Sequence, residues 1–176
     1  MPASKAQFIV ASAHSLASDV TESQAVTAKE LLARARTVGA PEGFHFSGVV
    51  TPRQAWALFE AGLVELIDVR TQEELNSVGY VPRAQHVAWA TGPRMVRNPH
   101  FLDQLSVKVA KDSVILFLCR SGKRSQAAAE AASHAGFEHV FNIAEGFEGE
   151  SVAGQSGTVG GWRSYDLPWS NGSIHN

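Results

Sequence analysis

Val114, Ile115, Leu116, Phe117, Leu118 and Cys119 follow one another with no polar residue between them. A strand with one face in water alternates apolar and polar side chains, whereas a strand that is apolar throughout must be covered on both faces. The run reads as a strand over Ser113–Leu118, far short of the roughly 20 residues a membrane-spanning helix needs. Such a strand requires helices above and below it.

The flanking sequence supplies them. Ala25, Val26, Ala28, Leu31, Leu32, Ala35 and Val38 fall at helical spacing between Ser23 and Val38, ahead of the breakers Gly39 and Pro41, so this segment reads as an amphipathic helix. Thr51 before Pro52 caps a second helix, with Trp56 and Phe59 on its apolar face and Gly62 as its stop. Val64–Val69 reads as a strand, and the Thr71/Glu74 capping-box spacing starts a short helix to about Asn76. Val87–Ala90 is a short strand candidate, and Asn98 with Pro99 repeats the cap signal for a helix through about Val107. The alanine-rich segment Ser125–Ala135, closed by Gly136, and the strand Val140–Ile143 follow. Strand and helix alternate, so the expected fold is α/β, a parallel sheet with helices on both faces. Beyond Glu145 six glycines between Gly146 and Gly161 mark a long loop before a helical turn flanked by Trp162 and Trp169.

At 176 residues one domain with a modest appendage is expected. Lys and Arg number 15 against 17 Asp and Glu, which offers no basic face for nucleic acid. A single cysteine forbids an internal disulfide and suits a reducing compartment, giving a cytoplasmic expectation. The weak apolar stretch Ala6–Ala13 is diluted by Gln7 and Ser12 and falls short of a secretory signal. A loosely docked N-terminus is expected instead.

The cysteine stands where chemistry is expected. Cys119, Arg120, Ser121, Gly122, Lys123, Arg124 and Ser125 lie where the buried strand gives way to a helix, at the carboxyl edge where open parallel sheets bind ligands. Gly122 permits a tight turn whose backbone N–H groups, continued by the helix start, form a concave donor set for an anion. Arg120, Lys123 and Arg124 add positive charge, and the same field favours a thiolate over a thiol. Cys119 is therefore expected to be a nucleophile. The competing reading is a cysteine that merely ends a hydrophobic strand.

These residues, with Leu66, Ile67, Asp68, Val69 and Arg70 and with Gly79, Tyr80, Val81, Pro82, Arg83 and Ala84, resemble a single-domain rhodanese over roughly residues 47–169. The resemblance implies a sulfurtransferase that takes sulfane sulfur from an anionic donor such as thiosulfate. Cys119 would carry it as a persulfide, in the cradle Arg120–Ser125, to cyanide, a thiol or a protein acceptor. It divides the chain into an N-terminal tail and helical extension (1–46), the rhodanese-like domain (47–170) and a C-terminal tail (171–176). Two departures stand out: Tyr80 where histidine is common and Arg83 where glycine is common. Two alternatives stay open. In a non-catalytic binding module the cysteine is incidental. In a Cys-loop phosphatase or arsenate reductase arginine stands six residues after cysteine, where this chain has Ser125.

Asp68 is expected to hold the loop through Arg124 or a loop N–H, and Arg70 to order nearby backbone; the rival is an ordinary strand-end ion pair. The segment Glu148–Gly160 is expected to be a surface insertion, the alternative being a lid over the acceptor site. The helix ending at Val38 is expected to brace the domain rather than to form a dimer or partner surface. The seven histidines show no paired ligand spacing with carboxylates or thiols in this reading, so no metal is expected. No cofactor is expected either.

Overall fold

Alternate residues of a strand face opposite ways, and the two faces of the apolar run bury different partners. The computed structural model of the chain describes residues 27–151 and 158–171. Leu116 and Leu118 point into a core shared with α1 (27–38) and α2 (Pro52–Glu60), whereas Ile115, Phe117 and Cys119 point into a second core formed with α4 (Phe101–Lys108) and α5 (Lys123–His134). Helices therefore cover both faces of the sheet, as the sequence predicted. Ala28, Leu32 and Ala35 of α1 belong to the first core, so this helix packs as a brace; its expected first turn from Ser23 lies outside the described residues.

The sheet has five parallel strands in the order β1 (Gly48–Val50), β7 (His139–Ile143), β6 (Val114–Leu118), β2 (Glu65–Asp68), β3 (Gln85–His86). From β6 the chain runs through α5 to β7 on one side; from β2 it runs through α3 (Gln72–Val78) to β3 on the other. The two connections diverge, leaving a crevice above the adjacent carboxyl ends of β2 and β6, which is where open α/β sheets bind ligands.

Local signals placed most elements. Thr51 and Thr71 both form complete capping boxes, with Gln54 and Glu74. Three expectations need correction, and one strand was missed. Asn98 does not cap α4: its Oδ1 accepts from the His100 N–H at 3.0 Å, and the helix starts at Phe101. That short side chain closes its own local turn two residues on, and so delays the helix. Val87–Ala90 is not one strand. Pairing with β2 ends at His86, and the chain leaves the sheet for a hairpin of β4 (Ala90–Thr91) with β5 (Val96–Arg97). The helix expected from Ser125 begins at Lys123, with Gly122 as its cap. β1, only three residues long, went unread in the sequence. A second hairpin, β8 (Glu150–Ser151) with β9 (Thr158–Val159), carries the described part of the glycine-rich segment, and a 3-10 turn at Trp162–Tyr165 follows it.

Arg83 has φ of 67°, the left-handed region that favours glycine, which gives a backbone reason for glycine at that place. Its guanidinium lies over the Phe59 ring, 4.8 Å from the centroid.

Candidate active site

β6 delivers Cys119 to the crevice, and Gly122 turns the chain into α5. Gly122 has φ of 89°, a conformation in which a side chain is strained, and this turn aims its N–H back at the sulfur. Cys119 Sγ accepts from the Gly122 N–H at 3.1 Å and from the Ser125 hydroxyl at 3.2 Å. The hydroxyl also lies 3.1 Å from the Gly122 carbonyl, so its one hydrogen serves either acceptor. Two donors converging on one sulfur favour negative charge there. Among the described residues no imidazole bonds to Sγ. Cys119 is 1% exposed.

The turn after β7 clamps the loop from above. Phe147 N–H donates to the Cys119 carbonyl at 2.8 Å and Glu148 N–H to the Arg120 carbonyl at 2.9 Å. This approach requires glycine at 146, where φ is 64° and an added Cβ would lie 2.5 Å from the Cys119 carbonyl oxygen.

The cations divide into different roles. Arg124 forms a two-pronged ion pair with Glu74 of α3, at 2.7 and 2.6 Å. Arg120 is half exposed and its Nε lies 3.4 Å from Glu148. Lys123 is exposed and makes no ion pair with a described residue. Arg120, Ser121 and Lys123 form one wall of a cleft of about 160 Å³. Gly149, Glu150 and Ser151 form the other. Residues 152–157 lie outside the described structure, and with them the middle of the expected insertion or lid.

Asp68 does not reach Arg124, which corrects the expected contact. Arg70 saturates it instead: Nε lies 3.0 and 3.1 Å from its two oxygens, Nη2 lies 2.6 Å from Oδ2, and the Arg70 N–H adds a bond at 3.0 Å. Arg70 Nη2 also donates to the Gly79 carbonyl at 2.9 Å, and the guanidinium carbon stacks 3.9 Å from the centroid of the Phe147 ring. Because Phe147 holds the Cys119 carbonyl, Asp68 touches the loop at second hand, through Arg70 and Phe147. The pair is an intra-strand-end ion pair, as the rival reading had it, but a wholly buried one.

Glu74 is the residue the sequence undersold. Its spacing from Thr71 revealed a helix cap, and the structure gives the same carboxylate a second partner fifty residues away. Burial pushes its carboxyl up, but the Arg124 bonds, the Thr71 N–H and the charges of Arg124 and Arg70 outweigh this and hold it below the usual range. Arg124 is raised in turn, chiefly by its bonds to Glu74 and against the cost of burial, with added support from the charges of Glu74, Cys119 and Asp68. Asp68, Arg70, Glu74 and Arg124 thus form an alternating charge set beneath one side of the loop.

The sequence reading also missed a histidine–carboxylate spacing. Glu130 and His134 stand one turn apart on α5, and His45 joins them.

Similarity to known proteins agrees with this geometry. The chain is 39% identical over 106 residues to the uncharacterised protein RP600 of Rickettsia prowazekii, covering 59% of this chain and 80% of that one. It is 41% identical over 100 residues to the senescence-associated protein DIN1 of Raphanus sativus, covering 56% and 54%. The crystal structure of Rv0390 from M. tuberculosis superposes with a TM-score of 0.65 at 36% identity, over 73% of this chain and all of that one. The polysulfide-sulfur transferase homodimer of Wolinella succinogenes shares the fold at a TM-score of 0.50 and 19% identity, over 88% and 94%. No helix among the described residues is long and apolar enough to cross a membrane. The pattern of the rhodanese-like domain runs through residues 51–151, from the cap of α2 past the cysteine loop to β8, and the chain belongs to that family.

Proposed function

We propose that this rhodanese-like domain is a sulfurtransferase in which Cys119 carries the sulfur. The observation that carries the reading is the convergence of the Gly122 N–H and the Ser125 hydroxyl on Cys119 Sγ. Donors already aimed at the reacting atom stabilise charge on it without reorganising. The Cys119 thiolate attacks the outer sulfur of a dianionic donor such as thiosulfate. A new S–S bond forms, the donor's S–S bond breaks, and sulfite leaves with the electron pair. The persulfide anion keeps its charge on the outer sulfur, within the same donor-lined loop. A thiophilic acceptor, cyanide or a thiol, then takes that sulfur and returns the thiolate. No general base is needed, which fits a sulfur with no imidazole bonded to it among the described residues.

Arg120 and Lys123, on one wall of the cleft, attract the anionic donor in this reading, and Arg124 steadies α3 against the loop. A phosphatase arginine must face the anion; the position six residues after Cys119 holds Ser125, and the neighbouring Arg124 is committed to Glu74. The Wolinella protein, a polysulfide-sulfur transferase by name, shares this fold, which supports the reading.

Intact mass spectrometry after incubation with thiosulfate tests the reading. Wild-type protein should gain one sulfur atom, lose it to cyanide, and show neither change as Cys119→Ser. If thiosulfate, polysulfide and thiol persulfide donors all leave the mass unchanged, the domain is a binding module and the proposal fails.

A further inference from the structure

At the far end of α5 from the cysteine loop, three side chains from two parts of the chain meet. His45 Nδ1 and His134 Nε2 each lie 2.8 Å from Glu130 Oε1, so an N–H of each ring donates to the same carboxylate oxygen. Glu130 and His134 are one helical turn apart, which puts them on one face. His45 comes from the segment ahead of β1, eighty-five residues from Glu130 in sequence. Its backbone is fixed independently of its ring, because its N–H donates to Glu130 Oε2 at 2.7 Å and its carbonyl accepts from Ser133 Oγ at 3.2 Å. The two imidazoles meet edge-on with centroids 5.5 Å apart. One ligand atom from each residue falls within 4.8 Å of the other two.

We propose that His45, Glu130 and His134 form a surface binding site for a divalent transition-metal ion of the zinc class, with water completing the coordination. Two imidazole nitrogens and one carboxylate oxygen are a donor set for zinc and its neighbours, whereas magnesium and calcium take oxygen ligands. Metal–ligand bonds of about 2.0–2.2 Å separate tetrahedral ligand atoms by roughly 3.3–3.5 Å, a range bracketed by the 2.8 Å and 4.8 Å spacings here. Small side-chain rotations at an exposed site supply the difference. Coordination needs each ring's lone pair in place of its N–H, which a shift of the proton to the other ring nitrogen provides with no net loss.

A bound ion would tie the segment before β1 to α5. It would sit roughly 10–16 Å along α5 from the helix start, the rise to Glu130 and to His134, clear of Cys119. Zinc chloride titrated into untagged protein tests this, with Cys119→Ser included because a free thiol also binds zinc. Both should bind one zinc per chain by calorimetry and melt about 5–10 °C higher at zinc a hundredfold above its dissociation constant. EDTA should reverse the shift, and magnesium should not reproduce it. His45→Ala and His134→Ala should each weaken binding more than tenfold. Both rings are mostly exposed, at 71% and 64%, so neither change empties the core. In the unsubstituted protein the imidazole resonances of His45 and His134 should move together on zinc addition. Absence of one-to-one binding in Cys119→Ser, undiminished binding in the double alanine variant, or unmoved resonances would each overturn the site. None of these readouts depends on sulfur transfer.

Discussion

On the β2 side of the cysteine loop the charges are buried and interlocked, with Arg70 at 0% and Asp68 at 2% side-chain exposure; on the hairpin side Arg120 and Glu148 stand at 52% and 22%. The first pair makes several short bonds, the second a single contact at 3.4 Å. A buried ion whose partner is removed cannot turn to water, whereas an exposed one exchanges its partner for solvent at little cost. The buried side therefore fixes the shape of the loop, and the open side is free to meet a ligand. Glu74 and Arg124, each about one-fifth exposed, are intermediate.

The contrast is most directly challenged at Arg70. Arg70→Ala strands Asp68 and should destabilise the fold by about 3–5 kcal/mol, read from urea denaturation. A loss under about 1 kcal/mol would mean that Asp68 finds water after all. Next comes the sulfur itself. Ser125→Ala removes one donor to Sγ and should slow sulfur loading roughly 10- to 100-fold, the equivalent of about 1.5–3 kcal/mol for a bond to a charged group. Its circular dichroism should be unchanged, since alanine suits a helix.

Glu74→Gln should cost about 1–2 kcal/mol at neutral pH, through the lost bonds to a charged partner. It also carries a pH signature. The Glu74 carboxyl is lowered from 4.5 in the folded protein, so its contribution is fully present above that value and is lost as pH falls through the lowered one. Urea midpoints compared across that range should fall less steeply for the glutamine variant than for wild type. The smallest stability effects belong to the open side. Arg120→Ala and Glu148→Gln should each change stability by less than about 1 kcal/mol. They should move the thiosulfate KM in opposite directions, up without the cation and down without the anion, and the difference should shrink with added salt. Equal KM values would detach this face from donor binding.

Features that depend on a few neighbouring residues were legible in the chain. The uninterrupted apolar run announced a strand covered on both faces, two threonines announced capped helices, and Gly122 after Cys119 announced a tight turn from strand into helix. These follow from periodicity, side-chain reach and permitted φ values, which act within about ten residues. The failures were local too where a polar side chain had a choice, as when Asn98 closed a turn instead of a helix.

Charge partners were not legible. Asp68 could equally have served Arg124, and Glu74 announced itself only as a cap. The strand order, with β6 beside β2, set Arg124 against Glu74 fifty residues away and left Asp68 to Arg70. The same packing carried His45 to Glu130 and His134, whose spacing on α5 became visible once the third member arrived. Ion pairs form between whatever surfaces the core brings together, and the core is assembled by burial of apolar area, a force without direction or partner preference. Periodicity along one chain thus specifies elements and turns, while the pairing of charges across elements exists only once the sheet has been built.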